Sequence, residues 1–243
     1  MTDLAALKGA NAERWAKARL TRNFTSVART LVEPHAKARY QAVEKRTGIP
    51  WFVIAVIHER ECSQDWKGSL AQGDPWDRVS THVPAGRGPF KSWEDCAVDA
   101  LVNCGPFAAR NKDWSIGGLL TLLEQYNGLG YAARNAPSPY IWSGTDQYKS
   151  GKYVRDHVYD PSVIDVQLGC AGLLLAMAAL DRTISLNGKM PPITSGDTRP
   201  PPTDLHEIDN QPNLGPEPPA PSFGMAFAKL LAFVLSLFKR KGK

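Results

Sequence analysis

Glu59 and Glu61 close a run that is otherwise apolar: Trp51-Phe52-Val53-Ile54-Ala55-Val56-Ile57, then His58-Glu59-Arg60-Glu61-Cys62-Ser63. A carboxyl delivered by a buried element can act as a general acid, because desolvation disfavours its charged form and lifts its pKa toward neutrality. On a helix, two glutamates two residues apart point about 200° away from each other, so at most one faces a given cleft. Glu61 lies over Ile57 and Ile54, which desolvate it, and the negative end of the helix dipole works in the same direction. Arg60 and His58 pull the other way. The competing reading is a structural glutamate held by Arg60 or by a neighbouring amide. The stretch also admits a metal site. His58 and Cys62 share the spacing of the two histidines in His-Glu-x-x-His, with Glu59 in the place of the base and His82 or His157 available as a third ligand. Cysteine is rare in that position, and the preferred reading has no metal and no cofactor.

The element that must carry these residues is a helix. Pro50 suits a first helical turn, and twelve residues span about 18 Å, enough to cross a small domain once. Residues 51–57 are apolar on every side, so this helix should be central and buried all round. Polar, helix-compatible stretches at 3–20 and 34–47 read as covering helices, separated by the break at Glu33-Pro34. Residues 64–91 hold Gly68, Gly73, Asp74-Pro75, Pro84, Gly86, Gly88 and Pro89, with Trp66, Trp76 and Phe90 interspersed. That is a long loop, and its aromatics predict an ordered one lining a groove. Ser92, with Asp95 as a capping-box partner, opens a helix that ends at Gly105-Pro106. Ser115 caps another through Tyr126, ended by Asn127-Gly128. Residues 131–159 carry Tyr131, Tyr140, Trp142, Tyr148, Tyr153 and Tyr159, which read either as platforms for sugar rings or as ordinary loop packing. An apolar helix is expected from Asp160-Pro161 to about Ile184. No strand alternation of useful length occurs, so the expectation is a mainly α-helical body over residues 1–188.

Charge separates this body from the C-terminal residues. The chain carries +5 overall. Lys229, Lys239, Arg240, Lys241 and Lys243 supply all of it, leaving residues 1–221 neutral and giving no case for a nucleic-acid-binding body. Residues 189–222 hold ten of the nineteen prolines and read as a disordered linker. Residues 223–238 are apolar almost all round and as a helix reach about 24 Å, short of the roughly 30 Å hydrocarbon core. With the cations behind them they read as a short, strained span or as an interfacial anchor on an anionic membrane surface, against packing on the body. Cys62, Cys96, Cys104 and Cys170 show no CxxC spacing, and the N-terminus has no apolar signal segment. The chain is therefore expected to be made in the cytoplasm with reduced thiols.

These residues carry a resemblance. Ala55-Val56-Ile57-His58-Glu59-Arg60-Glu61-Cys62-Ser63 resembles the apolar-run-Glu-Ser-Ser motif of the lysozyme-like superfamily, that of goose-type lysozymes and soluble lytic transglycosylases. Glu61 stands in the catalytic place, and Cys62 where the first serine is usual. Leu123-Glu124-Gln125-Tyr126-Asn127-Gly128 is similar to the later Tyr-Asn-Gly element of that superfamily. Gly86-Arg87-Gly88-Pro89-Phe90 and Ser138-Pro139-Tyr140-Ile141-Trp142-Ser143-Gly144 look like segments of phage and prophage endolysins. The Gly-Leu-Met-Gln element common in lytic transglycosylases is absent, with Gly88-Pro89-Phe90 as its candidate replacement. The resemblance implies a lysozyme-like helical domain that cleaves the β-1,4 bond between N-acetylmuramic acid and N-acetylglucosamine in peptidoglycan glycan strands of the periplasmic wall. Glu61 would be the general acid, and Ser63, Tyr126, Asn127, Tyr140 and Trp142 would contact substrate. A hydrolase also needs a second carboxylate, for which Asp65, Asp74 and Asp77 are available and Asp74 is the leading candidate. A lytic transglycosylase, forming 1,6-anhydro products, needs none. A non-catalytic wall-binding or virion protein on the same fold is the further alternative.

Overall fold

The computed structural model describes residues 2–155 and 157–186; the expected linker at 189–222 and tail at 223–243 lie outside the described residues. The body is mainly helical. In chain order come α1 (Leu4–Lys17), α2 (Thr25–Val32), α3 (Pro34–Thr47), α4 (Trp51–Cys62), α5 (Trp93–Asn103), α6 (Ile116–Asn127), α7 (Pro139–Trp142) and α8 (Cys170–Leu180). A small hairpin, β1 (Lys152–Arg155) and β2 (Val158–Asp160), lies between α7 and α8.

Every residue of α4 from Trp51 to Glu59 is buried, as its all-round apolar surface requires. The helices α3 and α8 pack directly on it; α5 covers α3, α2 covers α8, and α1 lies along α6. Local chemistry sets the helix ends. Asp3 Oδ1 accepts the amides of Ala5 and Ala6 at 2.9 and 3.1 Å to start α1, and Ser92 Oγ accepts that of Asp95 at 3.1 Å to start α5. Ser115 Oγ does the same for Gly118 in α6. The α4 helix ends where Ser63 turns into the left-handed region at φ 49°, its amide bonded to the Glu59 carbonyl at 3.0 Å. At Gly117 a Cβ would sit 2.7 Å from the Lys8 carbonyl oxygen, so glycine is what lets α1 and α6 approach.

The loop at 64–91 is ordered by its own hydrogen bonds. Trp76 Nε1 donates to the Trp66 carbonyl at 2.9 Å, and the Phe90 amide to the Trp76 carbonyl at 2.8 Å. Trp66 in turn packs against Tyr40, His58 and Trp93.

Two expectations are corrected. The helix expected over 160–184 is helical only at Cys170–Leu180. Asp160 belongs to β2 and turns the chain by accepting the Ser162 amide at 2.9 Å, and residues 163–169 run in irregular backbone. Ile164, which falls inside that expected apolar helix, is 59% exposed, and Val166 close by is 68% exposed. The second correction is the hairpin itself. Lys152 pairs with Asp160 and Tyr153 with Tyr159 in antiparallel register, over strands too short to show a period of two.

Candidate active site

The C-terminal turn of α4 brings Glu61 to a partly buried position. Tyr140, on α7, donates its hydroxyl to Glu61 Oε1 at 2.9 Å. Burial pushes the Glu61 carboxyl up to about 7, against the lowering pull of the Tyr140 hydrogen bond and the Arg60 charge. Tyr126, on α6, donates its hydroxyl to the Leu70 carbonyl at 2.8 Å. Burial, and after it the nearby Glu61 charge, raises both phenols well above the ordinary tyrosine range. Tyr140 therefore stays a donor across the neutral range. The site is a single carboxyl, close to half-protonated at neutrality, held by a phenol.

Arg60 stands beside Glu61, yet its charge is drawn elsewhere. Its guanidinium lies 4.7 Å from the Tyr140 ring centre, and Nη1 donates to the Leu168 carbonyl at 3.2 Å. Nη2 pairs with Asp165 Oδ2 at 3.2 Å, with both side chains almost fully buried. Asp165 Oδ1 also takes Lys152 Nζ at 3.1 Å. Burial raises the Asp165 carboxyl, but Arg60 and Lys152 outweigh it and hold the group below its usual range. Gln167 Nε2 then donates to the Glu59 and Arg60 carbonyls at 3.0 and 3.3 Å, satisfying the open end of α4.

Glu59 has different partners, as the helical offset requires. Its Oε2 accepts Gln64 Nε2 at 2.8 Å, and Gln64 Oε1 accepts the Thr30 hydroxyl of α2 at 2.8 Å. The metal reading meets two side chains already engaged. His58 is fully buried, with Nε2 at 3.1 Å from the Asp65 carbonyl and Nδ1 at 2.9 Å from the Tyr40 hydroxyl. A carbonyl can only accept, so Nε2 carries the proton and Nδ1 accepts from Tyr40. Burial lowers His58 to about 4, keeping it neutral. The Cys62 thiol donates to the Ser69 carbonyl at 3.2 Å, and burial pushes it well up. Among the described residues no three His, Cys, Asp or Glu side chains converge as a metal site.

The other expected site residues are scattered in role. Asp74 organises the 64–91 loop: Oδ2 accepts the amides of Thr81 and His82 at 2.7 and 2.9 Å, and Oδ1 meets the His82 ring. Burial raises Asp74, while those His82 and Thr81 contacts outweigh it and hold the carboxylate below its usual range. Ser63 is exposed at the turn that ends α4. Asn127 is buried, its Nδ2 3.5 Å from Ser138 Oγ. Tyr126 and Tyr140 are buried rings that offer hydroxyls rather than faces. Trp142 is wholly buried in the core, so it is no platform for a sugar ring, and Tyr131 and Tyr148 are buried too. Tyr153 and Tyr159 keep partly open faces, with Arg134 stacked over both. The residues that sequence reasoning missed are Asp165, Lys152 and Gln167. Their one signal was an acid and an amide inside a stretch taken for apolar helix.

Models of known protein families, curated proteins and solved structures yield no match to this chain.

Proposed function

We propose that the chain is a lysozyme-like glycosidase that cleaves the glycan of peptidoglycan, with Glu61 as the general acid. The observation that carries this reading is the Glu61 carboxyl itself: partly buried at the end of a central helix, raised to about 7, and oriented by Tyr140. A carboxyl with that pKa is protonated often enough at neutral pH to give its proton to a leaving glycosidic oxygen, and ionised often enough to take one back. The order of the sequence motifs around Glu61 and Tyr126-Asn127-Gly128 supplies the substrate class.

A second reading follows from Asp74. Its two oxygens are already filled by Thr81 and His82, which leaves it poorly placed to activate a water. This favours intramolecular attack by the 6-hydroxyl of the muramic acid, in which Glu61 serves first as acid and then as base and no second carboxylate is required. The test is muropeptide release from purified peptidoglycan, followed by mass spectrometry. Intact chain should release products that Glu61→Gln does not, while Glu59→Gln retains most of the activity. Products lighter by one water identify the anhydro outcome; hydrated reducing ends identify hydrolysis. Equal release by intact chain and Glu61→Gln would refute the assignment. No release from either would favour a wall-binding role.

A further inference from the structure

On α6, Glu124 stands two residues before Tyr126 and therefore leaves the helix about 200° away from it. The face it occupies meets α1 and the turn at 132–137, and between them lies a cavity of about 590 Å³. That is within the range of small-molecule and short-peptide sites. Glu124 lines it at 2% exposure, and its Oε1 has no hydrogen-bond partner among the described residues. Trp142, fully buried, also lines it, and its indole Nε1 is likewise without a partner among the described residues. A buried acceptor and a buried donor left unmet each carry a desolvation penalty that a ligand supplying the missing partner would relieve. Asn11, 2% exposed, spends one of its amide hydrogens on Thr121 Oγ1 at 3.3 Å and also bonds the Glu124 carboxyl. Arg14 lies on the same wall, unpaired among the described residues, and its charge reaches Glu124.

Five alanines on α1 and in the turn at 132–137, Ala133 among them, make half of the remaining wall; Leu7 and Pro137 add apolar surface, and Thr2, Asp3 and Asn135 add polar groups. The cavity thus joins an unmet carboxyl oxygen, an unmet N–H donor and an arginine whose charge bears on Glu124 to surfaces largely sized for methyl groups. Sugar rings seek flat aromatic faces, and the one aromatic lining residue is the buried Trp142. An extended peptide with a free carboxylate, amide or amine donors and alanine-sized side chains complements Glu124, Trp142, Arg14 and the alanine surfaces. We propose that this cavity binds the peptide stem of peptidoglycan, an amine or amide N–H meeting Glu124 Oε1 and a carboxylate meeting Arg14. The choice of the wall peptide over a free peptide rests on the glycosidase reading; the preference for a peptide over a sugar rests on the cavity alone.

The experiment titrates the full chain in a calorimeter with three probes: isolated stem tetrapeptide, alanylalanine, and an N-acetylglucosamine tetramer. Saturable binding of the tetrapeptide is expected. It should weaken at least tenfold in Glu124→Gln, which keeps the shape of the side chain, and vanish in Ala133→Trp, which fills the cavity from an exposed position. Glu61→Gln should bind it unchanged. Equal affinity for alanylalanine would overturn the wall-specific assignment. Absence of tetrapeptide binding at millimolar concentration, binding indifferent to Glu124 and Ala133, or displacement by the sugar tetramer would overturn the cavity assignment. In the cleavage assay, Ala133→Trp should lower release from peptide-bearing wall severalfold and leave release from peptide-stripped glycan unchanged. Equal effects on both would refute the proposal. An active Glu61→Gln chain would remove the assignment of Glu61 as the acid alone, since the titration needs no turnover.

Discussion

Replacing Glu61 by glutamine should make the protein more stable in alkali and, on the proposed glycosidase function, abolish cleavage. The carboxyl sits at about 7 in the folded chain against an ordinary 4.5, so the folded state holds the proton more tightly than the unfolded chain does. A raised folded pKa contributes stability that is fully present below about 4.5 and is lost as pH rises through about 7. A shift of this size corresponds to roughly 3 kcal/mol. Glu61 keeps part of its surface in water, and solvent screening reduces the effect to about 2 kcal/mol. Glutamine keeps an acceptor for the Tyr140 hydroxyl and has no charge to desolvate. For a domain of this size the difference corresponds to a Tm higher by about 5 °C above neutrality, narrowing toward nothing in acid. Thermal unfolding followed by circular dichroism across a pH series measures it, alongside muropeptide release. Parallel Tm curves for the two chains, or a variant less stable in alkali, would refute the claim that burial strains this carboxylate.

Other expected outcomes concern the same site and the tail. Tyr140→Phe removes a bond that favours the ionised carboxylate, so the alkaline limb of the kcat/KM profile should move up by about one pH unit; an unmoved limb would disconnect Tyr140 from the acid. Asp165→Asn leaves the buried Arg60 without its counter-charge. Stability should fall by about 3 kcal/mol, read by urea unfolding, and the alkaline limb should move down, opposite to Tyr140→Phe. Residues 223–243 should carry the full chain onto anionic vesicles in a sedimentation assay, and a chain ending at Asn187 should stay in solution yet still release muropeptides. Equal partitioning of the two would remove the membrane reading of the tail.

What could be read from the sequence was whatever depends on local chemistry. The all-round apolar run of α4, the Ser92 and Ser115 caps and the acid at the end of α4 each announce themselves within a few residues. The rest depends on partners far along the chain. Tyr140 reaches Glu61 across 79 positions, and nothing in Pro139-Tyr140-Ile141-Trp142 says which aromatic turns a hydroxyl to the site and which sinks into the core. Val163, Ile164 and Val166 imitate an apolar helix, but Asp165 between them is claimed by Arg60, a long-range electrostatic demand that outweighs the local pattern.

That irregular stretch before α8 has a consequence for anyone trying to make the protein sturdier. A regular helix consumes its own main-chain oxygens, whereas here they are lent outward. Val163 O receives the Gly151 amide at 2.8 Å, Asp165 O the Ser143 hydroxyl at 2.7 Å, and Leu168 O the Arg60 guanidinium at 3.2 Å. Substitutions that raise helix propensity between Pro161 and Gly169 would draw those oxygens back into the helix. Hairpin, α7 and the end of α4 would come apart together. In this segment a better local fold is a worse global one, and consensus-style stabilisation should stop at Asp160 and resume at Cys170.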